Sequence, residues 1–237
     1  MSKINSRIMP IFLLADSQLL FYEGSDGLFI DRIRRCLVGE VVANEIKAAY
    51  IGVSNGDDPR FYEIFKDAFT QFGVNDCRLI RADPDADDTK FLESANIILL
   101  AGGDTALGWH AIKRNAWDRM LIQRHQDGAV LMGISAGAIQ LGRMYNDKDI
   151  YSDPSYLQLI GYIVDVHSAD QWRALKEEVS AAGHGAKGIG IPHGAGLVYN
   201  PDGSLEAIRF ACTEFINDKG RINVRLLDPL NTLRILI

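Results

Sequence analysis

The chain has 237 residues, 47% of them apolar and 24% charged, with a formal net charge of −6 at pH 7. That length and apolar content are enough for one α/β domain over residues 1–237 with a sizeable core, and they argue against a disordered or low-complexity chain. The acidic balance, with no basic run beyond Arg32-Ile33-Arg34-Arg35, argues against nucleic-acid binding, and no apolar stretch is long enough to cross a membrane.

The apolar run near the N-terminus is too short for the core of a signal peptide. Cys36, Cys77 and Cys212 are odd in number and lack metal-ligand spacing, so they read as reduced thiols of a cytoplasmic protein, none of them catalytic. Nothing in the pattern calls for a metal or an organic cofactor.

In chain order, residues 8–15 read as a first buried strand and 27–42 as mostly helical. Residues 47–53 predict a strand that ends in the polar loop Ser54-Asn55-Gly56-Asp57-Asp58-Pro59. Helical spacing follows over 60–72, through Phe61, Ile64, Phe65, Ala68 and Phe69, then a short strand over 77–81. The acidic run 83–88 reads as a solvated turn, because it lacks the glycine and terminal glutamate of a calcium loop. Residues 95–100 form another predicted buried strand, running into Ala101-Gly102-Gly103-Asp104-Thr105. A glycine pair at the carboxyl end of a parallel strand lets backbone N–H groups face a ligand without an intervening Cβ. One helix is predicted over 106–126.

The next segment is the most informative. Ala129-Val130-Leu131-Met132-Gly133-Ile134-Ser135-Ala136-Gly137-Ala138 places one serine between two glycines at the G-x-S-x-G spacing, between an apolar strand and a helix. That is the pattern of a nucleophile elbow, although glycine, serine and alanine also serve ordinary packing at a strand-to-helix turn. Beyond it, residues 159–166 and 188–192 read as strands. After residue 195, alternating strands around Asn200-Pro201-Asp202-Gly203 and Asp218-Lys219-Gly220 read as an antiparallel addition to the sheet. The βαβα rhythm predicts a three-layer αβα sandwich with a mostly parallel sheet and C-terminal antiparallel strands, its ligand site at the strand carboxyl ends.

A serine hydroxyl needs a base to attack at neutral pH, and histidine is the usual one. Of the five histidines, His110 and His125 fall in the predicted helix and His184 in a glycine-rich loop. His167 and His193 each follow a strand directed at the rim of the serine. Either can equally be a hydrogen-bonded structural histidine.

With Tyr50-Ile51-Gly52-Val53 and its polar loop, Leu99-Leu100-Ala101-Gly102-Gly103-Asp104, Gly133-Ile134-Ser135-Ala136-Gly137-Ala138 and Val164-Asp165-Val166-His167, nearly the whole chain resembles the serine peptidases of family S51, which include dipeptidase E (aspartyl dipeptidase) and cyanophycinase. The resemblance implies a fold related to class I glutamine amidotransferases, Ser135 as nucleophile, His167 as base, and an oxyanion hole from backbone N–H groups at Gly103 and Ala136. It also implies a small peptide or amide substrate, of aspartyl type in the family, with Gly102, Asp104, Thr105 and Arg173 as the substrate-binding candidates. A homodimer is compatible with such a sandwich.

The match departs at Gly190-Ile191-Pro192-His193-Gly194. Cyanophycinase-like members carry there a glutamate that orients the histidine, and here the position is held by His193. Three readings follow: His193 orients His167 as a neutral acceptor, Asp165 or Asp170 substitutes for the missing carboxylate, or the domain binds without cutting. An esterase or transacylase using the same groups is a further alternative.

Overall fold

The computed structural model describes residues 7–24, 27–37, 45–143, 156–168 and 170–229. Strand β1 (Ile11–Leu14) is wholly buried. A two-stranded ribbon, β2 (Glu23–Gly24) and β3 (Gly27–Leu28), leads into helix α1 (Phe29–Leu37). Then β4 (Lys47–Ile51), α2 (Pro59–Gln71), β5 (Asp76–Ile80), α3 (Ala86–Ser94), β6 (Ile97–Leu100), α4 (Thr105–Arg114), α5 (Trp117–Gln126), β7 (Val130–Ile134) and α6 (Ala136–Leu141) follow. The last third holds β8 (Ile163–Val166), α7 (Arg173–Ala181), β9 (Lys187–Ile191), β10 (Gly196–Tyr199), β11 (Leu205–Ile208), β12 (Cys212–Asp218) and β13 (Arg221–Leu227).

Among the described residues the main sheet has the order β11-β10-β1-β7-β6-β4-β5. Its five strands β1, β7, β6, β4 and β5 are mutually parallel, and β10 and β11 are antiparallel additions at one edge. Strands covered on both faces must be apolar throughout, as Ile97-Ile98-Leu99-Leu100 is. One face packs on α1 and α2 through Phe29, Ile33, Phe65 and Phe69. The other packs on α3 to α6 through Leu92, Trp109, Trp117, Leu121 and Ala138. The expected mixed α/β sandwich is therefore present, with all five parallel strands ending on one rim.

Three expectations need correction. The acidic run 83–88 is a helix start rather than only a turn: Asp85 accepts from the N–H groups of Asp87 and Asp88 and caps α3, where negative side chains also match the helix dipole. The single helix over 106–126 is two, broken where Ala116 takes a left-handed φ of 55° that turns Trp117 into the core. The C-terminal strands do not all join the main sheet. β12 and β13 combine with β8 and β9 in a second, four-stranded sheet of order β13-β12-β9-β8, covered by α7 through Leu175 and Val179. Gly188 and Gly190 allow that packing, since a Cβ on either would collide with Val179 or the Trp172 ring.

Candidate active site

The rim formed by the ends of β1, β6 and β7 carries Asp16, Gly102-Gly103 and Ser135. Ser135 joins β7 to α6 with φ 49° and ψ −109°, a conformation that strains a residue bearing a Cβ and recurs at functional corners. Its N–H donates to Leu14 O at 2.8 Å, and its carbonyl accepts from Ala138 and Ile139. The flanking glycines are required by close backbone approach: a Cβ on Gly133 would lie 2.4 Å from the Gly137 backbone, and one on Gly137 would lie 2.1 Å from Leu100 O. The helix geometry leaves the first N–H groups of α6, Ala136 among them, without intrahelical acceptors.

The glycine pair after β6 packs directly against this corner. A Cβ on Gly102 would be 3.3 Å from Ser135 Cβ, whereas Gly103, at φ 131°, fits only because it has none, Ser54 O being 2.0 Å from where a Cβ would stand. Asp104 donates its N–H to the same Ser54 oxygen at 2.7 Å, which pins the turn. Gly102, Gly103, Ser135 and His167 line one cavity of about 330 Å³.

His167 follows β8 with φ 63°, and His193 follows β9. The two strands are parallel neighbours, with Val166 opposite Ile191, and the His167 N–H donates to Ile191 O at 3.1 Å. This places the imidazoles in a parallel stack, with centroids 4.0 Å apart and ring planes 3° from parallel. His193 is exposed and His167 half-buried. The His167 Nε2 is sealed from solvent and has no hydrogen-bond partner among the described residues. Ser135 and His167 share the cavity without a direct hydrogen bond, and in substrate-free sites such a bond is commonly long.

The second sheet reaches the main one through His193 and Gly194. The Gly194 N–H donates to Asp16 Oδ2 at 2.7 Å, and Ala15 N–H donates to Ala195 O at 2.9 Å. Ligand atoms of Asp16, His167 and His193 consequently lie within 4.8 Å of one another. Asp16 is the site residue that the sequence did not disclose. Its position just past β1 was the available signal, since that strand ends on the serine's rim. The three groups are a metal-ligand set by chemical type. However, imidazole lone pairs lie in the ring planes, and two nearly parallel stacked rings cannot aim them at one ion unless a side chain turns.

Neither carboxylate named as a substitute is hydrogen bonded to His167. Asp165 accepts the Val166 N–H at 2.8 Å, and burial, with the Asp170 charge, pushes its carboxyl up. Asp170 is exposed and accepts from the Ser168 hydroxyl and the Arg173 N–H. Three substrate candidates stand outside the cavity lining: Asp104 caps α4 by accepting from Leu107 N–H, Thr105 O accepts from Gln140, and Arg173 is exposed at the start of α7. The cavity's Tyr50 phenol is pushed up to about 12 by burial and stays neutral, held by the Asn55 amide at 2.8 Å. Burial likewise pushes the Cys212 thiol up to about 12, leaving it a poor nucleophile.

A mostly parallel α/β sheet with a strained serine at its carboxyl rim defines the class of protein. Solved structures with this fold include a protein described as peptidase E from Listeria monocytogenes EGD-e (TM-score 0.61, 15% identity, 86% of this chain and 100% of that one). Another is a peptidase from an acI-B1 Actinobacterium (TM-score 0.68, 14% identity, 95% of this chain and 96% of that one). No curated protein matches the sequence. The model of peptidase family S51 matches residues 32–199, and the chain belongs to that family. No described helix is long and apolar enough to cross a membrane.

Proposed function

We propose that the protein is a serine hydrolase that cleaves a small peptide or amide through an acyl-enzyme on Ser135, with His167 as general base. The observation that carries this reading is the strained Ser135, held at positive φ at the edge of a cavity that His167 also lines. His167 takes the hydroxyl proton as Ser135 Oγ adds to the substrate carbonyl, and the negative charge on the carbonyl oxygen falls to N–H groups at Gly103 and Ala136. The tetrahedral adduct collapses as the C–N bond breaks, with His167 returning its proton to the leaving amine. A water deprotonated by His167 then adds to the acyl carbonyl, and collapse releases the acid and restores Ser135.

His193, stacked on His167, fixes the plane of the base. Asp16 supplies the negative charge that a second histidine cannot. The same geometry supports the rival reading, a domain that binds its ligand without cutting, through the missing Ser135–His167 hydrogen bond. Intact-mass spectrometry after exposure to a fluorophosphonate separates the two. A single adduct is expected on the native chain and none on Ser135→Ala, with His167→Ala slowed at least about 10²-fold; an unmodified native chain would leave the binding domain as the reading.

A further inference from the structure

The wall of the cavity shared by Ser135 and His167 is mostly apolar, built from Leu20, Tyr50, Phe61, Ile64, Phe65 and Ile134, with Ser17 and Asn55 as neutral polar members. Its one charged carboxylate is that of Asp16, and among the described residues no lysine or arginine lines it. An aspartyl side chain entering this space would lose its hydration, meet no cation, and face the like charge of Asp16. Three arginines stand outside the lining, and Arg60, which precedes Phe61 at the start of α2, is paired with Asp58. Arg173 is exposed at the start of α7. Arg209 lies beside Gly194, stacked over the Tyr22 and Phe210 rings, outside the lining.

We propose that the substrate residue seated in this cavity, beside the carbonyl that Ser135 attacks, carries an apolar side chain of leucine or phenylalanine type. The proposal rests on the serine-hydrolase reading for the attack and on the cavity wall alone for the selectivity. Phe61 sits at the mouth: it is 46% exposed although it lies on the cavity side of α2.

The two parts of the idea come apart experimentally. Binding of Leu-Ala, Phe-Ala, Asp-Ala and Glu-Ala to the Ser135→Ala chain, measured by calorimetry, needs no chemistry. Leu-Ala and Phe-Ala are expected to bind at least about 10-fold more tightly than Asp-Ala. Phe61→Arg, at a position 46% exposed, is expected to reverse that order, and Arg209→Ala to leave it unchanged. Equal or tighter binding of Asp-Ala, its loss in Arg209→Ala, or no binding of any apolar peptide would overturn the proposal. A native chain that takes no fluorophosphonate while Leu-Ala still binds preferentially to Ser135→Ala defeats the hydrolase reading and leaves the apolar selectivity standing. An adduct with a preference for Asp-Ala does the reverse.

Discussion

Asp16 holds two backbone N–H groups, those of Gly194 and Gln18, and so its carboxylate is fixed beside the two imidazoles rather than free to follow solvent. In the proposed mechanism a proton arriving at His167 during attack creates an imidazolium, and a fixed negative charge nearby lowers the cost of forming it. Asp16→Asn keeps the shape and removes the charge. With an apolar dipeptide as substrate it is expected to lower kcat by about 10²-fold or more while leaving KM within a few-fold. Asp16→Glu is expected to restore part of kcat. No recovery in Asp16→Glu, with KM also raised in Asp16→Asn, would mean that Asp16 only holds the Gly194 turn and that His193 orients the base alone.

At the scale of elements, the caps and glycines explain why the corner forms, and they reassign one residue. Asp104 follows Gly103, yet its carboxylate accepts from Leu107 N–H at 2.9 Å and is exposed, the behaviour of an N-cap rather than of a ligand group. Asp104→Ala is expected to cost about 1 kcal/mol of stability, read by denaturant unfolding, with fluorophosphonate labelling of Ser135 kept within a few-fold; Asp104→Asn should cost little by either measure. A collapse of labelling at unchanged stability would return Asp104 to substrate binding. What the sequence makes legible is local: the apolar strands, the glycine pair after β6, and the Ser135 corner all follow from neighbouring residues. The break at Ala116 was hidden because helical periodicity continues on both sides of it. The second sheet and Asp16 were hidden for another reason. The pairing of β8 with β9, and the Gly194–Asp16 bond that ties them to β1, join segments distant in the chain, and no local pattern encodes such a partner.

For the whole molecule, the question is whether the sheet bearing His167 and the sheet bearing Ser135 stand or fall together. Val164, Ile189, Ile191 and Cys212 of the second sheet lie in the same apolar cluster as Ile11 and Leu131 of the main sheet and Trp109 and Trp117 of its helices. At the rim the two sheets are also joined by the Gly194–Asp16 and Ala15–Ala195 bonds. Opening one would expose the apolar face of the other, so the chain is expected to unfold in one cooperative transition. The tryptophans provide local reporters, since Trp109 and Trp117 are in the main core and Trp172 packs over Gly190 of β9. Urea unfolding followed by far-UV circular dichroism and by fluorescence, in the native chain and in Trp172→Phe, should give coincident midpoints. A fluorescence transition that precedes the loss of secondary structure in the native chain, and is absent from Trp172→Phe, would identify the second sheet as a separate unit. Labelling of Ser135 would then be lost at the earlier midpoint, because His167 leaves with that sheet while Ser135 stays in place.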